Sequence, residues 1–193
     1  MTAQRRRLTQ FLIVATLLYV AWYFLYYYVL LPDGRVDRVL MFQIADASAW
    51  LLRAGGIPAT SDGPLSPNAL LRVGGVPTVI VGVQCDGLAL YVLFAGFILA
   101  YPGNWRAKLW FVPAGVAAIY IVNLIRVAAL ALNHHYSPGT MQFNHHYTFT
   151  ILVYAFIFWL WTVWVRRFAD RRPPVGGDGA RVMELPVTAA NAA

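Results

Sequence analysis

Charge is what this chain lacks most: Asp, Glu, Lys and Arg make up only 12% of its 193 residues, against about 25% in a soluble domain. With 60% hydrophobic residues and a mean hydropathy of +0.58, that scarcity excludes a water-soluble globule and points to an integral membrane protein. Cysteine is nearly absent too. A single thiol, Cys85, cannot close an internal disulfide and stays free for chemistry or packing. The histidines come as adjacent doublets, with no His-x-x-x-His pair and no accompanying carboxylate, a poor pattern for a metal site, so neither metal nor cofactor is expected. The formal charge of +7 would suit nucleic acid or anionic lipid, but the basic residues are placed as topology signals, and no nucleic-acid partner is expected. There is no internal repeat.

Long apolar runs are what the chain has instead. A bilayer core of about 30 Å needs roughly 20 apolar residues per helix, and four stretches are assigned as spans: 8–31, 87–101, 109–132 and 147–165. The second is short, and neighbouring helices are expected to shelter it. The expected fold class is an all-α integral membrane protein of four transmembrane helices, with an extracytoplasmic amphipathic helix and a small β-hairpin between 36 and 84. Arg5, Arg6, Arg7, Arg106, Lys108, Arg166, Arg167, Arg171, Arg172 and Arg181 fall on one side of this arrangement. The positive-inside rule makes that side cytoplasmic. Residues 1–7 are then a cytoplasmic N-terminus, 8–168 the membrane-embedded domain, and 169–193 a disordered cytoplasmic tail.

In the outward segment, Val36, Leu40, Ile44, Ala47 and Leu51 recur at helical spacing, with Asp37, Asp46 and Arg53 elsewhere. Such a helix lies on the outer leaflet or packs on the rest of the chain. ALLRV and VPTVIVGV around a Gly-Gly pair predict the hairpin, whose second strand leads into Cys85.

Polar residues inside apolar runs carry the functional signal. Cys85 falls at the outer start of the second span, where helix N-terminal N–H groups favour a thiolate; Asp86 opposes that if it is ionised and faces the sulfur. Arg126, within the third span, costs at least ~2.5 to 3.5 kcal/mol to insert and therefore marks a site unless it snorkels to the headgroups. It should lie about six residues, or roughly 9 Å, below the outer helix end. Asn123, three residues earlier, can orient the guanidinium or bond a peptide group. His134, His135, His145 and His146 occupy the same outer level. Thiol, imidazole and fixed cation form a workable set for peptide-bond chemistry. Packing roles for Cys85 and a partner's carboxylate for Arg126 would instead describe a non-catalytic assembly or transport subunit.

CDGL at the start of a span (85–88), NLIR in the next (123–126) and HHYTF at the head of the last (145–149) together resemble the exosortase/archaeosortase family of membrane-embedded cysteine transpeptidases, in a compact four-span form. The resemblance implies Cys85 as nucleophile, Arg126 as thiolate or oxyanion partner, and His145 as acid/base with His146 as the second choice. Asn123, Asp86 and Gly87 would position substrate. Asp86 stands where the family more often has a small or amide residue. The implied partners are membrane lipids and secreted proteins whose C-terminal sorting signal comprises a short motif, an apolar helix and a basic tail. An exopolysaccharide or glycolipid system is the candidate acceptor. The implied location is the bacterial cytoplasmic membrane, with both termini cytoplasmic and the site extracytoplasmic.

Overall fold

The computed structural model describes residues 3–140 and 147–168. Its chain order is α1 (Ala3–Leu25), α2 (Arg35–Ala54), β1 (Ala59–Ser61), β2 (Ala69–Val73), β3 (Val76–Val81), α3 (Leu88–Ala100), α4 (Trp105–Tyr136) and α5 (Phe149–Arg167). The tail from 169 and both His145 and His146 lie outside the described residues.

Among the described residues three helices are long and apolar enough to cross a membrane: Leu8–Asp33, Trp105–Tyr136 and Phe149–Arg167. The expected second span, α3, has 13 residues and is therefore only about 20 Å long. Helix α4 starts before the expected 109 because Asn104 caps it, its side chain accepting from the Arg106 N–H at 2.9 Å. A search for apolar runs passes over such a charged first turn. At its far end α4 continues to Tyr136, which puts Arg126 ten residues, or about 15 Å, from that end, deeper than expected.

Helix α1 buries no residue of its apolar window; it leans on α3 through Phe11, whose ring meets Phe97 and Tyr101 edge-on. Its last part widens into a π turn at Tyr26–Leu30 and stops at Gly34, from which α2 sets off.

The expected hairpin forms, with Val73 opposite Val76. Gly74 and Gly75 have φ of 59° and 81°, the left-handed pair that a two-residue turn between strands requires. A third strand, β1, was not foreseen; it extends the hairpin to a three-stranded antiparallel sheet. Three residues from a Pro/Gly/Ser-rich stretch are too few to show a period of two.

Helix α2 packs on β1, β2 and α4, so the protein itself covers its apolar face. The buried stripe includes Asp37, Ile44, Ala45, Ser48, Ala49 and Leu52, rotated from the expected one. Val36 is exposed, and Asp37, expected on the polar side, is 2% exposed. Asp37 is turned inward toward Tyr26, whose Oη donates to its Oδ2 at 3.4 Å. Two cores result. At the sheet end Ile44, Leu71, Val73, Val81, Cys85, Val127 and Leu130 pack together. Toward the other end of α4, Phe94, Ile98, Phe111, Ile119, Ile157 and Trp164 do so.

Candidate active site

The segment between β3 and α3 is built around its glycines and one carboxylate. The Cys85 N–H donates to Gly82 O at 2.8 Å, closing a turn that brings the thiol under the sheet. Gly87 has φ of 83°, and a Cβ there would sit 2.5 Å from Tyr91 Oη and 3.2 Å from Asn123 Nδ2. Only glycine allows both that backbone angle and that approach. Asp86 Oδ1 accepts from the Leu88 N–H at 2.8 Å, so the carboxylate takes up a donor at the start of α3.

Helix α4 contributes the other groups. Asn123 Nδ2 donates to Cys85 O at 2.9 Å, while its Oδ1 accepts from Arg126 Nη1 at 3.5 Å, the long limit of a hydrogen bond. One amide thus holds the cysteine backbone and faces the guanidinium. Both side chains are buried, Asn123 fully and Arg126 at 9% exposed. Arg126 Nε meets no hydrogen-bond partner among the described residues.

A cavity of about 220 Å³ opens beside these groups, lined by Val83, Gln84, Asp86, Gly87, Arg126 and, from α5, Thr150, Val153 and Tyr154. Cys85 lies in the chain between two lining residues and is 8% exposed. Gln84, Thr150 and Tyr154 escaped the sequence reading, since a polar residue near the end of an apolar run gives no signal of its own.

Electrostatics correct one expectation. The Cys85 thiol is pushed above its usual range, because burial outweighs the lowering effects of Arg126 and the Gly82 backbone, and Asp86 adds to the rise. The helix N-terminus was expected to do the opposite. Helix α3 begins three residues beyond the thiol, and the Leu88 N–H is occupied by Asp86. Burial also pushes the Asp86 carboxyl up to about 7, helped by its contact with Asp37, although the Leu88 N–H pulls it down.

Among the sequence-derived residues, Cys85, Asp86, Gly87, Asn123 and Arg126 therefore meet at one end of α4. His145 and His146 lie outside the described residues. His135, in the last turn of α4, sits against the hairpin turn, its ring 3.5 Å from where a Gly74 Cβ would be.

Membrane-length helices, with a buried thiol and a buried guanidinium at one end of α4, define a membrane protein. The family model for transmembrane exosortases matches residues 4–164, and the chain belongs to that family. At the level of the family this is a membrane transpeptidase of the cysteine-peptidase type, associated with secreted proteins that bear sorting signals. No curated protein and no solved structure matches the chain.

Proposed function

We propose that this protein cleaves the C-terminal sorting signal of secreted proteins at the outer face of the bacterial cytoplasmic membrane and transfers the cleaved protein to an acceptor. Four spans with both termini cytoplasmic put Cys85, Asn123 and Arg126 on the outer side, in line with the basic residues at the first turn of α4 and the last turn of α5. The observation that carries the reading is the Cys85–Asn123–Arg126 chain of contacts. It holds a nucleophile and a cation together in a buried place where a fixed charge has strong leverage.

The thiolate of Cys85 attacks the scissile carbonyl, forming a C–S bond, and the oxyanion is stabilised by Arg126. His145, with His146 as the second choice, first accepts the thiol proton. It then gives that proton to the departing amine as the C–N bond breaks. An acceptor amine or water attacks the thioester, and the thiol is regenerated. Since burial raises the thiol's pKa, a proton acceptor is a requirement of the scheme. Thr150, Val153 and Tyr154 put the start of α5 in the cavity wall. Asn123, Asp86 and Gly87 hold the substrate-facing backbone in place. Because the substrate's apolar tail is itself a membrane helix, confinement in the bilayer supplies proximity.

The test is an acyl adduct at residue 85, trapped in native membranes with a co-expressed tail-anchored substrate and released by hydroxylamine. Wild type should give the adduct. Cys85→Ala should insert normally, give no adduct and lose processing by at least about a thousandfold. Undiminished processing by Cys85→Ala would mean an assembly or transport subunit instead.

A further inference from the structure

Asp37 and Asp86 are 2% and 1% exposed, and they come from different elements: the first turn of α2 and the thiol segment. Their four oxygens can be accounted for one by one. Asp86 Oδ1 accepts from the Leu88 N–H at 2.8 Å. Asp37 Oδ2 accepts from Tyr26 Oη, at the π turn of α1, at 3.4 Å. The remaining two, Asp37 Oδ1 and Asp86 Oδ2, are buried and meet no N–H or O–H donor among the described residues. The two carboxyl groups are nevertheless close enough to act on each other, and Tyr26 feels both.

A contact between two carboxyl groups is a hydrogen bond only if one of them carries a proton. Two buried carboxylates this close repel each other, and a shared proton removes the repulsion and fills the vacant acceptor. We propose that Asp37 and Asp86 share one proton in an acid–carboxylate hydrogen bond, which ties α2 to the Cys85 segment and leaves a single negative charge beside the thiol. Asp37 and Asp86 are then positioning residues that act through Cys85. Their effect on turnover rests on the transpeptidase reading; the shared proton does not.

The charged and titratable groups around the pair are Tyr26 from α1, Cys85 itself, Tyr91 from α3, whose Oη donates to Asp86 O at 3.4 Å, Arg126 from α4 and Tyr154 from α5. The Asp86 proton leaves near neutrality. As pH rises through that range the second carboxylate forms next to Cys85 and opposes ionisation of the thiol. Above it the thiolate is scarcer than one titration would give.

Cys85 is the sole cysteine, so iodoacetamide alkylation of the full-length protein in membranes reads this site alone, with no substrate. In wild type the logarithm of the rate should climb with pH, flatten near pH 7 where the Asp86 proton leaves, and climb again. Asp37→Asn and Asp86→Asn each keep a hydrogen bond across the pair but only one ionisable acid. Asp86→Asn should lose the flattening, Asp37→Asn should move it to lower pH because burial still acts on Asp86, and both should react several-fold faster than wild type above about pH 8. A wild-type profile with a single titration, superimposable on both variants, overturns the proposal. Should either variant fail to fold, infrared spectra of wild type decide: a protonated-carboxyl band that titrates near neutrality supports the pair, and its absence refutes it. Loss of sorting activity with the alkylation pattern intact would count against the function and not the pair, and the reverse result would separate them equally.

Discussion

Helix α4 buries two cations, Lys108 and Arg126, 18 residues apart and so about 27 Å along one axis. The comparison between them separates structure from chemistry. Lys108 donates through Nζ to Leu99 O at 2.8 Å. A cation on a last-turn carbonyl of α3 satisfies an acceptor that the helix end leaves open. Lys108 borders open volume too, a cavity of about 240 Å³, but its neighbours there are Leu99, Trp105, Leu109, Val112 and Pro113, with no nucleophile among them. Arg126 makes one long hydrogen bond, leaves Nε without a partner among the described residues and borders a cavity. Buried charge alone does not mark a site; a buried charge that faces open volume beside a nucleophile does.

The largest effect should come from exchanging these two roles. Arg126→Gln is expected to lower processing of a tail-anchored substrate by about 10² to 10³, the range for removing one oxyanion donor, with little change in thermal midpoint. Lys108→Met should do the reverse. It strands Leu99 O and costs about 1 to 3 kcal/mol of stability, while turnover per folded molecule is kept. Equal losses of activity in both variants would mean that the two ends differ only in packing. Arg126→Lys sharpens the test, since a point charge without the guanidinium fork should restore little.

A middle-sized effect separates the two ends through their glycines. At Gly115 a Cβ would overlap the Phe94 ring, which is fully buried. Gly115→Ala should therefore cost about 1 to 3 kcal/mol as an overpacked core and leave turnover per folded molecule alone. Gly87→Ala adds strain of about 1 to 2 kcal/mol at positive φ and presses on Tyr91 and Asn123. Because Asn123 holds the Cys85 carbonyl, a displacement there should lower activity at least ~10-fold beyond its effect on stability. Thermal denaturation and single-turnover kinetics on the same preparations check both.

These contrasts also show what the sequence could and could not convey. Cys85, Asn123 and Arg126 were legible because polar residues are costly in apolar runs, so each stood out against its background. The Gly-Gly hairpin was legible because few dipeptides adopt that turn. Asp37 was harder, since an acid in an amphipathic helix is ordinarily assigned to the wet face. Its spacing to Ile44, Ala45 and Ser48, at intervals of seven, eight and eleven, does place it on one stripe with residues that prove buried. Ser48 on that stripe was the hint that the face is not wholly apolar. Tyr26 could not be placed, because a π turn changes the angular register of α1 and leaves no pattern in the sequence. The length of α3 was obscured for a different reason: hydropathy counts the apolar residues of 87–101 without showing that Gly87 and Tyr101 lie outside the helix.

The smallest effect is expected at a third cation, Arg72 on the central strand of the sheet. Arg72 pairs with Asp62 through Nε at 3.1 Å, the two side chains being 35% and 28% exposed. At that exposure solvent screens the pair, the usual worth is about 0 to 1 kcal/mol, and salt weakens it further. Asp62→Asn should lower the thermal midpoint by no more than a degree or two, on the order expected for such a pair, and processing should not change. The pair lies at the same end of the molecule as Arg126, so an activity loss in Asp62→Asn approaching that of Arg126→Gln would show that this end responds to any change of charge. Unchanged turnover would leave the cavity-facing guanidinium, and not the general field of the sheet, as the group on which the chemistry depends.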